Sequence, residues 1–462
     1  MLHSHPPPAA STTNDAPPVP AAGGAQSHGV GHWVCLFFVC VPVLLLVGFG
    51  IEILSVASGR MSSNADLLLK FREKQHSFLL VALILLGIAA VLPLDLRRHG
   101  KIIRRASWAM FTGSCTLLLG ILCIPGMALR RNGSTRWLHL DGIPFCDQVQ
   151  VSEVTKIAFL FVLSLVLHDS RRHFQPGHAA PGPMAPPGAG HRFWPLRIVR
   201  PGWSWNFPWV CEVEPASPGW RNFISGFFVP CLIIGIPVLF ILGETDLGMA
   251  ILYVLVAGAL LFVNGVRLRY LIPTALTGIL AVFAYVHLDS TRAARIIGFI
   301  DPEGLRGGLA MQLYNGLLAL GSGGVGGVGL DKVIMPTKLA ESHTDFVFSV
   351  IGEGKGLLGT GAVVLFYLLF FTGVAARLRH AHDVFQFNIC FGAALFITLQ
   401  ALVNMCVVTG LIPTTGMTLP FVSYGITSLL SSAILTGLVI NCLWRWRKTP
   451  GIGGNAFEGG PQ

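Results

Sequence analysis

Long apolar runs separated by short polar loops make up most of the chain. A helix that crosses a bilayer needs about 20 predominantly apolar residues, and ten stretches approach this length. They lie near 33–54, 78–95, 107–127, 154–168, 226–243, 247–265, 270–288, 344–373, 387–410 and 424–444. The pattern therefore predicts an all-α fold: a polytopic integral membrane protein with about ten transmembrane helices.

Basic residues are concentrated in alternate loops of this predicted arrangement. Because cytoplasmic loops of membrane proteins are enriched in Lys and Arg, both termini are predicted to lie in the cytoplasm. This orientation places on the cytoplasmic side Arg97, Arg98, Lys101, Arg104, Arg105, Arg171, Arg172, Arg192, Arg197, Arg200, Arg221, Arg267, Arg269, Arg377, Arg379, Arg445, Arg447 and Lys448.

The regions outside the spans differ from them in composition. Residues 1–32 are rich in Pro, Ala and Ser and are predicted to form a disordered cytoplasmic tail. One transmembrane domain is predicted over 33–444. It is interrupted by a Pro/Gly-rich cytoplasmic insertion over 169–225 and by a long outer loop over 289–343. Residues 445–462 are predicted to form a second cytoplasmic tail.

The composition fits a bilayer setting. Hydrophobic residues make up 53% of the chain and charged residues 12%, whereas about a quarter of the residues in an ordinary soluble protein are charged. The net charge of +10 is explained by the basic loops, so no nucleic-acid partner is predicted. The ten cysteines are scattered without a CxxC pair, and neither a disulfide framework nor a metal site is predicted.

One pair of charged residues lies close to a predicted span. A charged side chain costs about 2.5–3.5 kcal/mol at the centre of a membrane helix, so each one requires an explanation. Glu153 and Lys156 are three residues apart and share a helix face near the outer end of the fourth span. Gln150 and Arg136 extend the pair into a polar patch at the membrane surface. The pair is either a structural ion pair or part of a site that handles an anion.

Two other acidic segments flank predicted spans. In "ESHTDF", Thr344 or Ser342 is the predicted N-cap of a helix. Asp345 would then lie in the first helical turn, where the helix dipole favours a negative charge. In "GETD", Glu244 and Asp246 are predicted to form a solvated hairpin between two spans.

Eight segments carry, in chain order, a resemblance to a known family. They are "GSTRWL", "QVSEVTK", "ETDLGMA", "LFVNGVRLRYL", "RIIGFIDPEG", "ALGSGGVGGVGL", "HTDFVFSVIGEGKGLLG" and "TGLIPTTGMTLPFVSYGITSLL". The chain resembles the SEDS family of FtsW and RodA over nearly all of 33–444, and "HTDF" and "LPFVSYG" are the specific signals. The resemblance implies a ten-span helical fold in the bacterial inner membrane.

The resemblance also implies an activity: polymerisation of lipid II into glycan strands on the outer face of that membrane. The implied partners are a class B penicillin-binding protein and other division or elongation proteins, and "PTTGMTLPF" is nearer to the division branch. In this reaction the 4-hydroxyl of an acceptor sugar displaces undecaprenyl pyrophosphate. A carboxylate must take the proton, and positive charge must hold the pyrophosphate. Whether a divalent cation such as magnesium or manganese assists is left open.

The resemblance and the residue types together suggest a set of site residues on the outer side. Arg136, Lys156 and Arg295 are the cations suited to a pyrophosphate. The other candidate substrate-binding residues are Gln150, Glu153, His343, Asp345 and Ser423. Ser423 belongs to the Pro-, Gly- and Ser-rich segment Leu411 to Gly425, which would line the outer cavity.

The outer loop departs from the family at the position of its proposed catalytic carboxylate. Members usually show a pattern like "DPESDPLGAGY", in which the fifth residue is that Asp. An ungapped alignment with "DPEGLRGGLAM" places Leu305 at this position. Because leucine cannot accept a proton, Glu303 and Asp301 in the same loop are the candidate replacement bases.

Three functions are compatible with this sequence. The first is a glycosyltransferase in which Glu303 or Asp301 acts as the base. The second is a catalytically weak or silent relative that serves as a scaffold and regulates its transpeptidase. The third is a transporter of lipid-linked precursors, which would place charged residues near the bilayer midplane. The charges cluster instead at the outer ends of the spans, so transport ranks last.

Overall fold

The apolar runs of the sequence fold into long helices. The computed structural model describes residues 27–61, 65–124, 126–131, 134–139, 148–174, 224–266, 268–287, 296–304, 310–334, 343–378, 381 and 383–446. The longer helices are α1 (Ser27–Met61), α2 (Ala65–Val91), α3 (Leu96–Cys123), α4 (Val151–Phe174), α5 (Val229–Gly243), α6 (Leu247–Val263), α7 (Leu268–His287), α8 (Met311–Gly323), α9 (Val347–Leu378), α10 (Val384–Val408) and α11 (Ile426–Arg445). A π-helical turn, Ile224–Phe228, leads into α5, and a 3-10 turn, Leu330–Lys332, follows α8.

Length and composition identify most of these helices as membrane spans. Within the described ranges, eight helices are long and apolar enough to cross a bilayer, and two shorter apolar helices, Ser77–Val91 and Leu247–Val263, accompany them. The helices coincide with the ten apolar stretches of the sequence. The prediction of an all-α, multi-pass membrane protein is therefore confirmed.

A small antiparallel sheet connects α3 to α4 and was not predicted from the apolar pattern. Its strands are β1 (Ala128–Arg131), β2 (Ser134–His139) and β3 (Gln148–Gln150), in the order β1-β2-β3. Trp137 in β2 pairs with Gln150 in β3. Because β3 runs directly into α4, the sheet lies next to the first turn of that helix.

The helices differ in how much of their surface they bury. In α4, 83% of the spanning window is buried inside the protein, whereas in α7 only 6% is buried. Leu276, Ile279 and Phe283 of α7 are largely exposed, as expected for a helix whose side chains face lipid. Helix α10 contains fully buried residues such as Phe385 and Phe396. Helices α4, α10 and α11, whose spanning windows are 83%, 67% and 72% buried, therefore form the centre of the bundle.

Helix α9 is interrupted at Gly356, whose φ of 62° lies in the left-handed region. The glycine-rich segment after α8 packs into this break. The Val328 amide donates to the Glu353 carbonyl at 2.9 Å, and the Leu357 amide donates to the Gly324 carbonyl at 2.9 Å. These hydrogen bonds satisfy backbone groups that a broken membrane helix would otherwise leave unpaired.

The predicted tails and insertion lie largely outside the described residues. This applies to residues 1–26 of the N-terminal tail, to 175–223 of the insertion and to 447–462 of the C-terminal tail. Helix α4 continues to Phe174, so it enters the predicted insertion. The domain boundaries stay predictions.

Candidate functional site

Polar side chains gather at one end of the bundle, where α3, α5 and α10 end and α4, α6, α9 and α11 begin. Asp246 is the N-cap of α6 and accepts a hydrogen bond from the Met249 amide through Oδ1 at 3.1 Å. Its other oxygen, Oδ2, accepts from Gln150 Nε2 at 3.1 Å and lies 3.4 Å from Arg136 Nη1. Asp246 thus ties the sheet residue Arg136 and the start of α4 to the start of α6.

Glu244 lies in the turn between α5 and α6 and is fully buried. Neither of its carboxyl oxygens has a hydrogen-bond partner among the described residues. Burial, reinforced by Asp246 and opposed by Arg136, raises the pKa of Glu244 from its ordinary 4.5 to about 9. The interpretation of "GETD" as a solvated hairpin is wrong. Arg136 Nη1 of β2 lies 3.4 Å from Asp246 Oδ2, and Leu122 of α3 packs so closely that a methyl group on Gly243 would lie 3.0 Å from it.

Glu153 and Lys156 form a buried ion pair in the first turns of α4. Lys156 Nζ lies 2.5 Å from Glu153 Oε2, and the two side chains are 1% and 2% exposed. Lys156 Nζ also donates to Gln400 Oε1 of α10 at 2.8 Å. The predicted shared helix face is confirmed. Both side chains are buried inside the protein; their position at the membrane surface stays a prediction.

Side chains from α10, α11 and the segment between them complete this network. Gln400 Nε2 donates to Glu153 Oε1 and to Thr418 Oγ1, each at 3.3 Å. Ser431 Oγ donates to Glu153 Oε2 at 2.6 Å, and Thr418 Oγ1 donates to Ser428 Oγ at 2.8 Å. Both charges of the ion pair are therefore matched by partners within the protein. This arrangement favours the structural role among the two roles predicted for the pair.

Arg136 and Asp345 approach each other across Gly416. A methyl group added at Gly416 would lie 3.4 Å from Arg136 Nη1 and 3.4 Å from Asp345 Oδ2. Asn404 Nδ2 holds the backbone on both sides, because it donates to the Asp345 carbonyl at 2.8 Å and to the Met417 carbonyl at 2.6 Å. A guanidinium group and a carboxylate thus flank one point of the loop between α10 and α11.

His343 and Ser423 lie next to this point. The Tyr424 amide donates to the His343 carbonyl at 2.8 Å, and the His343 and Tyr424 rings are 5.9 Å apart between centroids. Ser423 Oγ donates to the Thr344 carbonyl at 2.5 Å and accepts from the Leu419 amide at 2.8 Å. The structure therefore brings His343, Ser423 and Asp345 together, and their roles stay predictions.

The candidate bases lie in an exposed segment after a helical turn over 296–300. Asp301 Oδ1 accepts a hydrogen bond from the Gly304 amide at 2.9 Å, and the Glu303 side chain is exposed. Arg295 and Leu305 lie outside the described residues. Within the described ranges, no group of three or more His, Cys, Asp or Glu side chains is placed to hold a metal ion.

Comparison with known proteins agrees with the architecture and with the sequence motifs. The sequence pattern of FtsW, RodA and SpoVE, described as a cell cycle protein, matches residues 34–185 and 208–447. The chain belongs to this family. A probable peptidoglycan glycosyltransferase FtsW from Geobacter sp. (strain M18) is 29% identical over 418 residues, which cover 88% of this chain and 96% of that protein. Another from Legionella pneumophila is 32% identical over 376 residues, 80% of each chain.

Solved structures share the fold of this FtsW/RodA/SpoVE family member. One comes from work on the structural coordination of polymerization and crosslinking by a peptidoglycan synthase complex. It has a TM-score of 0.61 and 22% identity, covering 88% of this chain and 98% of that one. The rod shape determining protein RodA of Thermus thermophilus has a TM-score of 0.56 and 22% identity, covering 90% and 98%. Both support the multi-pass helical architecture.

Three residues of the site, Gln400, Asn404 and Ser431, were not predicted from the sequence. Gln400 and Asn404 are four residues apart in the apolar run of α10, so they share one face of that helix. A polar side chain within a membrane span is costly and therefore informative. That signal would have identified both residues, although not their partners.

Proposed function

We propose that this protein polymerises lipid II into glycan strands during bacterial cell division and releases undecaprenyl pyrophosphate. The family membership supports this proposal, as do relatives named probable peptidoglycan glycosyltransferase FtsW. The observation that carries it is the convergence of Arg136 and Asp345 on Gly416 at the polar end of the bundle. This arrangement supplies a cation for a pyrophosphate beside a carboxylate and several hydroxyl groups.

Arg136 is better suited than Lys156 to hold the pyrophosphate. The Arg136 side chain is 11% exposed, whereas the Lys156 side chain is 1% exposed and is bound to Glu153. A guanidinium group also presents several donors in a planar fork that matches phosphate oxygens, and it keeps its charge at all physiological pH values. Lys156 would have to leave Glu153 unpaired to reach a ligand.

Glu303 is the proposed base. The bond that forms joins the acceptor 4-hydroxyl oxygen to the anomeric carbon of the donor, and the bond that breaks joins this carbon to the pyrophosphate. The hydroxyl proton passes to the Glu303 carboxylate. Asp301 is less suited, because its carboxylate already accepts the Gly304 amide and shapes the turn. The negative charge that develops on the pyrophosphate is stabilised by Arg136.

Weak polymerase activity is expected when Glu303 serves as the base in place of the family's carboxylate at position 305. Glu303 lies two positions before Leu305, where the family keeps its carboxylate. A misplacement of about 1 Å can cost about 100-fold in rate, and the longer Glu side chain compensates only partly for a shift of two residues.

The site is proposed to face the outside of the bacterial inner membrane, with both termini in the cytoplasm and a class B penicillin-binding protein as partner. The basic loops support this orientation. Cysteines introduced at 190 and 310 should be labelled from opposite sides by a membrane-impermeant reagent. Labelling of both from the same side would contradict the orientation.

Polymerisation of labelled lipid II by the purified protein, with and without the transpeptidase, tests the activity. Glu303→Gln should abolish product formation because the amide cannot accept the proton. Asp301→Asn is the matched control: its amide oxygen can still accept the Gly304 amide, so activity should persist. Leu305→Asp should raise the rate. A clear wild-type activity that Glu303→Gln leaves unchanged would show that Glu303 is not the base.

The second candidate function is that of a scaffold protein with little intrinsic polymerase activity. It is favoured by the leucine at position 305, where the family keeps its carboxylate. It predicts that the wild-type chain binds the transpeptidase but forms no glycan, alone or in the complex. If Leu305→Asp also leaves such a protein inactive while binding persists, the scaffold function is favoured over the polymerase.

A further inference from the structure

A stripe of cations lies on α3 at the end of the helix away from the candidate functional site. The exposed residues Arg97, Arg98, Lys101 and Arg105, called here the basic stripe, form it. Within the described ranges, the side chains of Arg97, Lys101 and Arg105 make no hydrogen bond or ion pair. Arg98 Nε lies 3.9 Å from Asp95, and its side chain stays 83% exposed. The protein itself therefore leaves most of this positive charge unneutralised.

Other described arginines at this end of the bundle are bound by protein groups. Arg269 Nη2 donates to the Tyr270 hydroxyl at 2.7 Å, and its guanidinium lies 4.8 Å from the centre of that ring. Arg445 Nη2 donates to the Leu92 carbonyl at 2.8 Å. A preference for basic residues in cytoplasmic loops explains why arginines occur here. It does not explain why those of the basic stripe have no partner within the protein.

The basic stripe is held firmly and faces away from the bundle. Ile103 and Ser107, four residues apart, form part of the buried face of α3. Lys101 and Arg105 lie on the opposite face, because each is two residues from the buried ones. Arg104 binds both carboxylate oxygens of Asp169 in α4, with Nη2 2.7 Å from Oδ1. This contact fixes the first turns of α3 to the bundle and leaves the neighbouring cations pointing outward.

The length of α3 places the basic stripe in the head-group layer. The helix has 28 residues and is therefore about 42 Å long, whereas about 20 residues cross the hydrocarbon core. It ends at Cys123, close to the small sheet, so the surplus turns lie at its start. Trp108, which is 43% exposed, follows Arg105 by one turn, at the depth where tryptophan is common in membrane proteins. Ile102 is 69% exposed between the cations.

We propose that the basic stripe of α3 binds the head groups of acidic phospholipids such as phosphatidylglycerol. Guanidinium and ammonium groups donate charge-assisted hydrogen bonds to phosphate oxygens. The acyl chains would lie along the face that carries Ile102 and Trp108. A zwitterionic lipid binds less well, because its own ammonium group offsets its phosphate. An acidic protein segment would match the cations but not the apolar side chains beside them. The inference does not depend on whether the chain polymerises glycan.

Photo-crosslinking in a defined bilayer tests this assignment. Ile102 is replaced by p-benzoylphenylalanine (Ile102→Bpa) in the full-length protein, and Ile272→Bpa is the matched control. Ile272 is 54% exposed in the second turn of α7, at the same end of the bundle, where the nearby Arg269 is held by Tyr270. Vesicles contain equal amounts of phosphatidylglycerol and phosphatidylcholine, and one of the two is radiolabelled in each arm.

The ratio of phosphatidylglycerol to phosphatidylcholine adducts should be at least about fivefold higher at 102 than at 272. This factor corresponds to the preference of about 1 kcal/mol that one cation gives near an acidic membrane surface. Raising the salt from about 0.01 M to about 1 M should reduce the difference, because the screening length falls from about 30 Å to about 3 Å.

Charge-neutralising variants supply an independent measurement. Lys101→Gln combined with Arg105→Gln should bring the adduct ratio at 102 down to that at 272. Arg269→Gln combined with Arg445→Gln removes the same charge from the same end and should leave the ratio at 102 unchanged. Lys101→Arg, which keeps the charge, should preserve it as well. The unfolding temperature of each variant verifies that it is folded.

Two results in vesicles would overturn the proposal. One is an equal adduct ratio at 102 and 272, and the other is a ratio at 102 that the Lys101→Gln and Arg105→Gln pair does not lower. A third result concerns native membranes. If Ile102→Bpa forms a protein adduct there in place of a lipid adduct, the basic stripe is a docking site for an acidic protein and the lipid assignment is wrong.

Discussion

Glu153 and Glu244 are both buried at the same end of the bundle, yet their surroundings differ. Glu153 lies in the first turn of α4, where the helix dipole favours a negative charge. It is 2.5 Å from Lys156 Nζ. Glu244 follows the last residue of α5, where the dipole disfavours an anion, and its oxygens have no partner among the described residues. Equal burial thus gives an ion pair in one place and a protonated acid in the other.

The difference has a consequence for Arg136. Asp246 and Asp345 already lie near its guanidinium group, and an ionised Glu244 would add negative charge to this cluster. Because burial keeps Glu244 protonated at neutral pH, more of the positive charge of Arg136 is available to an anionic ligand. Lys156, in contrast, is fully committed to Glu153 and Gln400.

The largest effect is expected from Lys156→Met, which leaves the Glu153 carboxylate buried without a cation. Breaking a buried ion pair in this way costs about 3–5 kcal/mol of unfolding free energy, measurable by unfolding in detergent. The control is Lys355→Met. Lys355 pairs with Glu52, with side chains 29% and 45% exposed, and such a pair contributes about 0–1 kcal/mol. Equal losses for the two variants would contradict the structural role of Lys156.

A smaller effect is expected from Ser431→Ala, which removes one hydrogen bond to the charged Glu153 carboxylate. Hydrogen bonds to charged groups contribute about 1.5–3 kcal/mol, so the unfolding free energy should fall by that amount. Ser349→Ala is the matched control, because this buried hydroxyl donates only to the neutral Phe346 carbonyl; a loss of about 0.5–1.5 kcal/mol is expected there. A larger loss for Ser349→Ala would argue that Glu153 is not charged.

An effect with a distinctive pH dependence is expected from Glu244→Gln. The folded chain holds the Glu244 proton up to a pKa of about 9, whereas the ordinary value is 4.5. Stabilisation by this proton is therefore complete below pH 4.5 and is lost as pH rises through about 9. Between about pH 6 and about pH 7, wild-type unfolding free energy should fall by at most about 1.4 kcal/mol from this group.

Glutamine is uncharged, so Glu244→Gln should remove this slope and make the protein more stable than wild type near neutral pH. The unfolding temperature of both proteins across the pH range gives the comparison. Glu303→Gln, at an exposed site, should leave the slope unchanged. Parallel curves for wild type and Glu244→Gln would mean that Glu244 is ionised in the folded protein.

Contacts between site residues that are close together in the sequence were predictable, because they depend only on local helix geometry. The Glu153 and Lys156 contact follows from a spacing of three residues in one helix. The prediction that Asp345 lies in the first turn of a helix capped by Thr344 or Ser342 is wrong, because α9 begins at Val347 and Asp345 lies in the turn before it. The partners of these residues were not predictable: Gln400 and Ser431 are 247 and 278 positions from Glu153. No local pattern connects residues so far apart in the chain.

The sequence by itself determined the spans and their order, because the cost of placing polar backbone and side chains in a bilayer is a local property of about 20 residues. Its motifs also indicated the family. Only the tertiary structure decided which charges are paired. It placed α4 against α10 and α11, so that Lys156 is enclosed, and it buried the turn at Glu244, so that this acid keeps its proton. Both outcomes depend on desolvation and on the partners within reach, and those are properties of the packed bundle.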